Sequence, residues 1–160
     1  TKPDRSGTYA ARWVAKNVVA AGLARRCTAE IAYVIGMPEP LSVTVHTDGT
    51  GVLTDAALTA AVKQEFDLSP AGIIESLDLR RPVYGATAVY GHFGRDEAGF
   101  TWERLDRVES LRRLLPGAAR KSWTELRQEI RCQKIHSFPV GLPAKGLLAG
   151  FAAFRPYLPL

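Results

Sequence analysis

The side chains able to do chemistry are few and scattered. Three histidines (His46, His92, His136) and two cysteines (Cys27, Cys132) are spread along 160 residues. They show no metal-ligand spacing. No Gly-x-x-x-x-Gly-Lys phosphate loop is present, and no nucleophile stands beside a base in a recognisable motif. Each therefore gets its plainer reading first. His46 sits on the polar face of a strand. His92 lies in Tyr90-Gly91-His92-Phe93-Gly94-Arg95, where the glycines fit a tight loop and the histidine has a structural role. Cys27 reads as a small buried hydrophobe and Cys132 as a free thiol. Arg80-Arg81 before Pro82 could bind an anion, but an ion pair or solvated charge is the simpler reading. Tyr9 and Trp13, one helical turn apart, belong to a core. At the start, Asp4 reads as a helix-capping carboxylate favoured by the first-turn dipole, and Lys2 as a solvated terminal lysine.

The elements that must position these residues follow from periodicity. A helix is predicted from near Ser6, with Asp4 and Ser6 as cap types. Tyr9, Ala10, Trp13, Val14, Asn17, Val18 and Ala21 recur at helical spacing, and Gly22 ends the run. Residues 27–35 and 41–46 alternate apolar and polar as strands, joined by a Gly-Met-Pro-Glu-Pro turn. Thr54 caps a second helix carrying Ala57, Leu58, Ala61, Val62 and Phe66. Ser69-Pro70 opens a short third one. Residues 83–90 read as a strand weakened by Gly85, and 102–115 as a last helix with Leu105, Val108, Leu111 and Leu115 on one stripe. Residues 123–135 fit a short basic helix, and from Phe138 the chain has four prolines and no period.

Composition bounds the class. The chain is 17.4 kDa, 46% hydrophobic and 23% charged, the size and balance of one globular domain. No apolar run reaches the length of about 18 residues that a membrane helix needs. No secretory leader is recognisable. Two cysteines make neither a disulfide scaffold nor a zinc site, so a reducing, cytoplasmic setting is expected. The chain opens on Thr1 and its one methionine is Met37, so the sequence is expected to begin inside something longer. The net charge of +5 divides unevenly. Residues 1–104 carry 11 basic and 12 acidic side chains; residues 105–160 carry 10 and 4. All the excess charge lies in the last third, which marks two segments of different character.

A set of ordered segments goes further. Thr1-Lys2-Pro3-Asp4-Arg5-Ser6 is followed by Tyr9-Ala10-Ala11-Arg12, Ala15-Lys16-Asn17, Ala20-Ala21-Gly22-Leu23-Ala24 and Arg26-Cys27. Then come Tyr33, Ile35-Gly36, Glu39-Pro40, Phe66-Asp67-Leu68, Pro70, Gly72-Ile73-Ile74 and Leu77-Asp78-Leu79-Arg80-Arg81-Pro82. Last are Thr87-Ala88, Tyr90-Gly91-His92-Phe93-Gly94-Arg95, Trp102-Glu103 and Asp106. Over residues 1 to about 113 the chain resembles the C-terminal domain of S-adenosylmethionine synthetases.

The resemblance implies the formation of S-adenosylmethionine from ATP and L-methionine. The methionine sulfur attacks the ribose C5′ and expels triphosphate, which is hydrolysed to phosphate and diphosphate. It implies Mg2+ and K+ as cofactors, a homo-oligomer (dimer or tetramer) and active sites between subunits. Two site positions carry over. The family motif Thr/Ser-Lys-x-Asp-Arg-Ser stands here as Thr1 to Ser6. Lys2 would contact methionine or the phosphates, and Asp4 would be a magnesium ligand. The chemistry suits them, a lysine being a point charge for phosphate and a carboxylate a hard oxygen donor. The sequence departs from the pattern in several places. The family's Gly-Lys-Asp loop before this motif is not present, nor are its two earlier domains with their His-Pro-Asp-Lys motif. Pro3 stands where valine is common.

The fold expected is α/β, more narrowly α+β in two layers: a small mixed or antiparallel sheet with helices on one face, over residues 1–115. Its first strand is expected from elsewhere, leaving a sheet edge open. Residues 116–160 form a basic extension. It is read either as solvated and disordered or as out-of-frame translation. A nucleic-acid or acidic-lipid face built from Arg120, Lys121, Arg127, Arg131 and Lys134 ranks below both. Neither a membrane nor a nucleic acid is expected as partner. Two functions are carried forward: the C-terminal portion of a methionine adenosyltransferase, and a truncated non-catalytic relative that at most binds a partner subunit. The 160 residues alone are expected to be inactive.

Overall fold

The computed structural model describes residues 3–115 and, as backbone, 151–154. Lys2, Cys132, His136 and the basic residues of the extension lie outside the described residues. The element order is α1 (Pro3–Ala20), β1 (Thr28–Ala32), β2 (Ser42–His46), α2 (Asp55–Glu65), α3 (Pro70–Ser76), a 3-10 helix (Tyr84–Ala88), another (Thr101–Glu103), α4 (Val108–Arg112) and β3 (Phe151–Phe154). The sheet is antiparallel in the order β2-β1-β3. It bears out the expected fold class, with the edge of β1 opposite β2 taken by β3.

Helix α1 is the hub. Tyr9, Ala10, Trp13, Val14, Asn17 and Val18 are all buried, and so are Ala11, Arg12 and Ala15 on its other side. A helix covered nearly all round is a central one. It packs against β1 and β3 on one side and against α3, α4 and the turn at Thr101–Glu103 on the other. Its end is a Schellman cap. Gly22 takes a positive φ of 79°, and the Gly22 and Leu23 N–H groups donate to Val19 O and Val18 O at 2.9 and 3.2 Å.

The strands follow their alternation. Ala29 pairs with Val45 and Ile31 with Val43, all four buried, while Glu30 and His46 point outward. His46 is thus on the polar face, 3.8 Å from a Glu30 oxygen and 3.9 Å from an Asp55 oxygen. Thr54 and Ser69 are N-caps as expected, accepting from Ala57 N at 3.3 Å and Gly72 N at 3.0 Å. Gly72 has to be glycine. A Cβ there would lie 2.1 Å from Asp67 Cγ, whose carboxylate accepts the Ser69 N–H at 3.0 Å.

Three expectations are corrected. The first helix starts at Pro3, not near Ser6, because proline fits the first helical turn. Asp4 is therefore inside the first turn rather than at the cap. Ser6 is buried, and its hydroxyl donates back to Pro3 O at 3.1 Å. Second, residues 83–90 are not a strand. Tyr84–Ala88 winds as a 3-10 helix, with Thr87 Oγ1 donating to Tyr84 O at 2.6 Å and the Tyr84 hydroxyl anchored on Leu79 O. Third, the helix read over 102–115 is broken at Arg104, which is extended at φ −65° and ψ 148°. The Asn17 side chain takes the backbone groups that the break releases. Its amide donates to Arg104 O at 2.9 Å, and its carbonyl accepts the Arg107 N–H at 3.0 Å.

Candidate functional site

The sequence points to the first turn of α1. Asp4 is exposed there, at the end where the helix dipole favours a negative charge. Arg5 beside it lays its guanidinium 4.8 Å above the Tyr84 ring, which ties the turn to the 3-10 helix at Tyr84–Ala88. One turn further along, the Tyr9 hydroxyl meets His92 Nδ1 at 2.8 Å, and its ring stacks on Trp102 with centroids 3.7 Å apart. Burial raises the Tyr9 pKa; the Arg5 charge opposes that rise and Tyr84 adds to it. The hydroxyl therefore keeps its proton and can donate to His92. The buried ring, and the Trp102 Nε1 to His92 O bond at 2.7 Å, bear out the structural readings of Tyr9 and His92.

Residues 84–95 wrap around this end of α1, and two charged groups hold them there. Arg95 Nη1 donates to the carbonyls of Ala86, Val89 and Gly91 at 2.6, 2.7 and 3.3 Å. Its Nη2 reaches Glu97 at 2.9 Å, and the guanidinium lies 4.5 Å above the Phe100 ring. Glu103 does the complementary work. It accepts the Gly94 N–H at 2.8 Å, both Arg12 donors at 3.0 and 2.9 Å, and Lys16 Nζ at 2.6 Å. Burial alone would push the Glu103 carboxyl up. The hydrogen bonds and charges of Arg12 and Lys16 together outweigh it and hold the carboxyl below its ordinary value.

Sequence reading gave Arg12, Lys16, Arg95 and Glu103 no role. A usable signal was present: Arg12 and Lys16 are like charges four apart, flanked by the core residues Tyr9 and Trp13, and such a pair needs a carboxylate. Elsewhere the plain readings hold. Arg81 pairs with Asp78, and Cys27 is buried.

Residues 1–104 match the family described as S-adenosylmethionine synthetase, C-terminal domain. The chain belongs to the S-adenosylmethionine synthetase family. A solved structure of an S-adenosylmethionine synthetase from Campylobacter jejuni, described as unusual, shares the fold with a TM-score of 0.66 and 41% identity. The likeness covers 71% of this chain and 31% of that one, so the chain spans about a third of that relative's length. The family is one of transferases of S-adenosylmethionine synthesis.

The two residues singled out for the synthetase site are not seen together, because Lys2 lies outside the described residues. Asp4 is an exposed hard oxygen donor of the type a divalent cation takes. Among the described residues no group of three or more His, Cys, Asp or Glu side chains could hold a metal ion. Asp4 alone among the described residues therefore makes no metal site. Among the described residues, no helix is long and apolar enough to cross a membrane.

Proposed function

We propose that this chain is the C-terminal portion of a methionine adenosyltransferase. Residues 1–115 form the body of the domain, 116–160 are an extension that returns β3 to its sheet, and the chain works in a reducing, cytoplasmic setting as part of a homo-oligomer. The observation that carries this is the run Thr1-Lys2-Pro3-Asp4-Arg5-Ser6 leading into α1, inside a family match over residues 1–104. The substrates are ATP and L-methionine. A sulfur lone pair forms the S–C5′ bond as the C5′–O5′ bond breaks, and the electron pair leaves on triphosphate. Negative charge grows on that leaving group, so the site must present cations to it.

Lys2 supplies one such charge, contacting methionine or the phosphates. Asp4 would be one ligand of Mg2+, and K+ would be the second ion. When bound, these ions would supply further neutralisation of the polyphosphate. The chain's own contribution is to hold Asp4 in place. Pro3 sets the start of α1, the stack of Arg5 on Tyr84 ties its first turn, and Glu103 clamps the helix further along.

The test is an assay with ATP, L-methionine, Mg2+ and K+, reading S-adenosylmethionine, phosphate and diphosphate. A synthetase-length protein ending in this chain forms all three, while the 160 residues alone form none. In the long form Asp4→Asn lowers kcat about 100-fold or more and leaves the thermal midpoint nearly unchanged, because Asp4 is exposed. Activity indifferent to Asp4→Asn removes Asp4 from the site. A folded synthetase-length protein that makes no S-adenosylmethionine overturns the function.

A further inference from the structure

Among the described residues Tyr90 takes almost no part in the packing. It is 92% exposed, and its backbone sits at a positive φ of 61°. That left-handed region is costly for any side chain with a Cβ. Asp48 and Asp78 also take positive φ, but short polar residues tolerate it in turns and a bulky aromatic does not. The conformation is nevertheless firmly held. Arg95 binds the carbonyls of Val89 and Gly91 on either side of Tyr90, and Glu97 and the Phe100 ring fix Arg95 in turn. His92, two residues on, is tied to Tyr9 and Trp102. A rigid frame therefore presents a strained aromatic to water, beside a half-exposed Val89. Strain retained at an exposed position points to a role outside the domain, and tyrosine is a common interface anchor.

We propose that Tyr90, with Val89, is an anchor that docks into an apolar pocket with a polar rim on the remainder of its own synthetase subunit. This rests on the reading of the chain as the C-terminal portion of a synthetase. The length of the relative supports the choice of partner. This chain accounts for 31% of the Campylobacter jejuni protein, so about two-thirds of such a subunit is further polypeptide. The anchor also lies on the segment that meets the first turn of α1 through Arg5 and Tyr84. Docking there would bring the other domains to the Asp4 end of the helix.

The experiment has two arms. In the 160-residue chain, Tyr90→Asn and Tyr90→Gly leave the thermal midpoint unchanged or raise it by up to about 5 °C, because the strain is relieved and no contact is lost. In a synthetase-length protein the same changes lower the midpoint and speed hydrogen exchange in the loop, while Tyr90→Phe keeps both near wild type. That protein is this chain behind its own upstream sequence or, failing that, behind the matching part of the Campylobacter jejuni relative. A lowered midpoint in the 160-residue chain overturns the proposal, since the ring would then serve the domain itself. Indifference of the long form overturns it too. A Tyr90-dependent dimer of the 160-residue chain also overturns it, by making a second copy the partner. S-adenosylmethionine formation is read on the same samples. A long form that needs Tyr90 for stability yet makes no product keeps the anchor and removes the function; an active form indifferent to Tyr90 does the reverse.

Discussion

Arg12 on α1 and Glu103 ahead of α4 form a bidentate ion pair whose side chains are only 8% and 5% exposed. Taking both ions out of water is costly, and a single partner rarely compensates. Here Lys16 and the Gly94 N–H complete the carboxylate's coordination. One side chain thus joins the central helix, the turn before α4 and the 91–95 loop. Charge-assisted bonds of this kind are the strong ones, and their geometry fixes orientation as well as energy.

Removing the carboxylate strands two cations. Glu103→Ala is expected to lower unfolding stability by about 3–5 kcal/mol, measured by urea titration. Glu103→Gln keeps the shape and one acceptor, and costs less. The loss should not add to that of Arg12→Met, since the double variant leaves neither Arg12 nor Glu103 facing a missing partner and only Lys16 loses its carboxylate. Strict additivity would show that the two side chains act separately.

The same group sets an acid limb. Its folded carboxyl lies below its ordinary value. The unfolded chain therefore binds the proton more readily, and stability rises with pH across that range. The contribution is fully present above the unfolded value, about 4.3, and is lost as pH falls through the folded one. Stability of the wild type should drop more steeply below that point than stability of Glu103→Gln. Parallel curves would remove Glu103 from the acid response.

Asn17 is wholly buried and uses its whole amide. Beyond the two bonds across the break after Glu103, it donates to Trp13 O at 2.9 Å. Asn17→Ala leaves the Arg107 N–H and the Arg104 carbonyl without those partners. The expected loss is about 2–3 kcal/mol, again by urea titration, with faster hydrogen exchange at Arg107. Unchanged exchange there would mean that the break holds without Asn17.

These cases show what was legible. Caps and alternation are local, so Thr54, Ser69, Gly22 and both hairpin strands could be read from their neighbours. The failures lie where a distant group overrides local preference. Residues 102–115 carry a sound helical stripe, but Asn17, 87 residues away from Arg104, takes the groups freed by the break. Residues 83–90 have strand-like composition, yet Tyr84 and Thr87 find nearer acceptors and wind the segment up. The charged cluster at Glu103 joins parts of the chain 91 residues apart, and only folding brings them together. The role proposed for Asp4 rests on the family resemblance, since an exposed first-turn aspartate on its own reads as helix capping.

Cys27 gives a probe of global opening. It is 1% exposed, and burial, with a smaller contribution from the Asp55 charge, pushes its thiol up to about 12. Only the thiolate reacts with alkylating reagents, so at pH 8 far less of Cys27 is in the reactive form than of a free thiol. Access is closed as well. In a Cys132→Ser background, labelling of Cys27 by iodoacetamide should therefore require unfolding. The rate should rise with urea in step with the fraction unfolded, and Glu103→Ala should accelerate it by the factor that its stability loss dictates. Rapid labelling of the native protein would mean that the region around β1 opens on its own, and that Cys27 is available for redox chemistry after all.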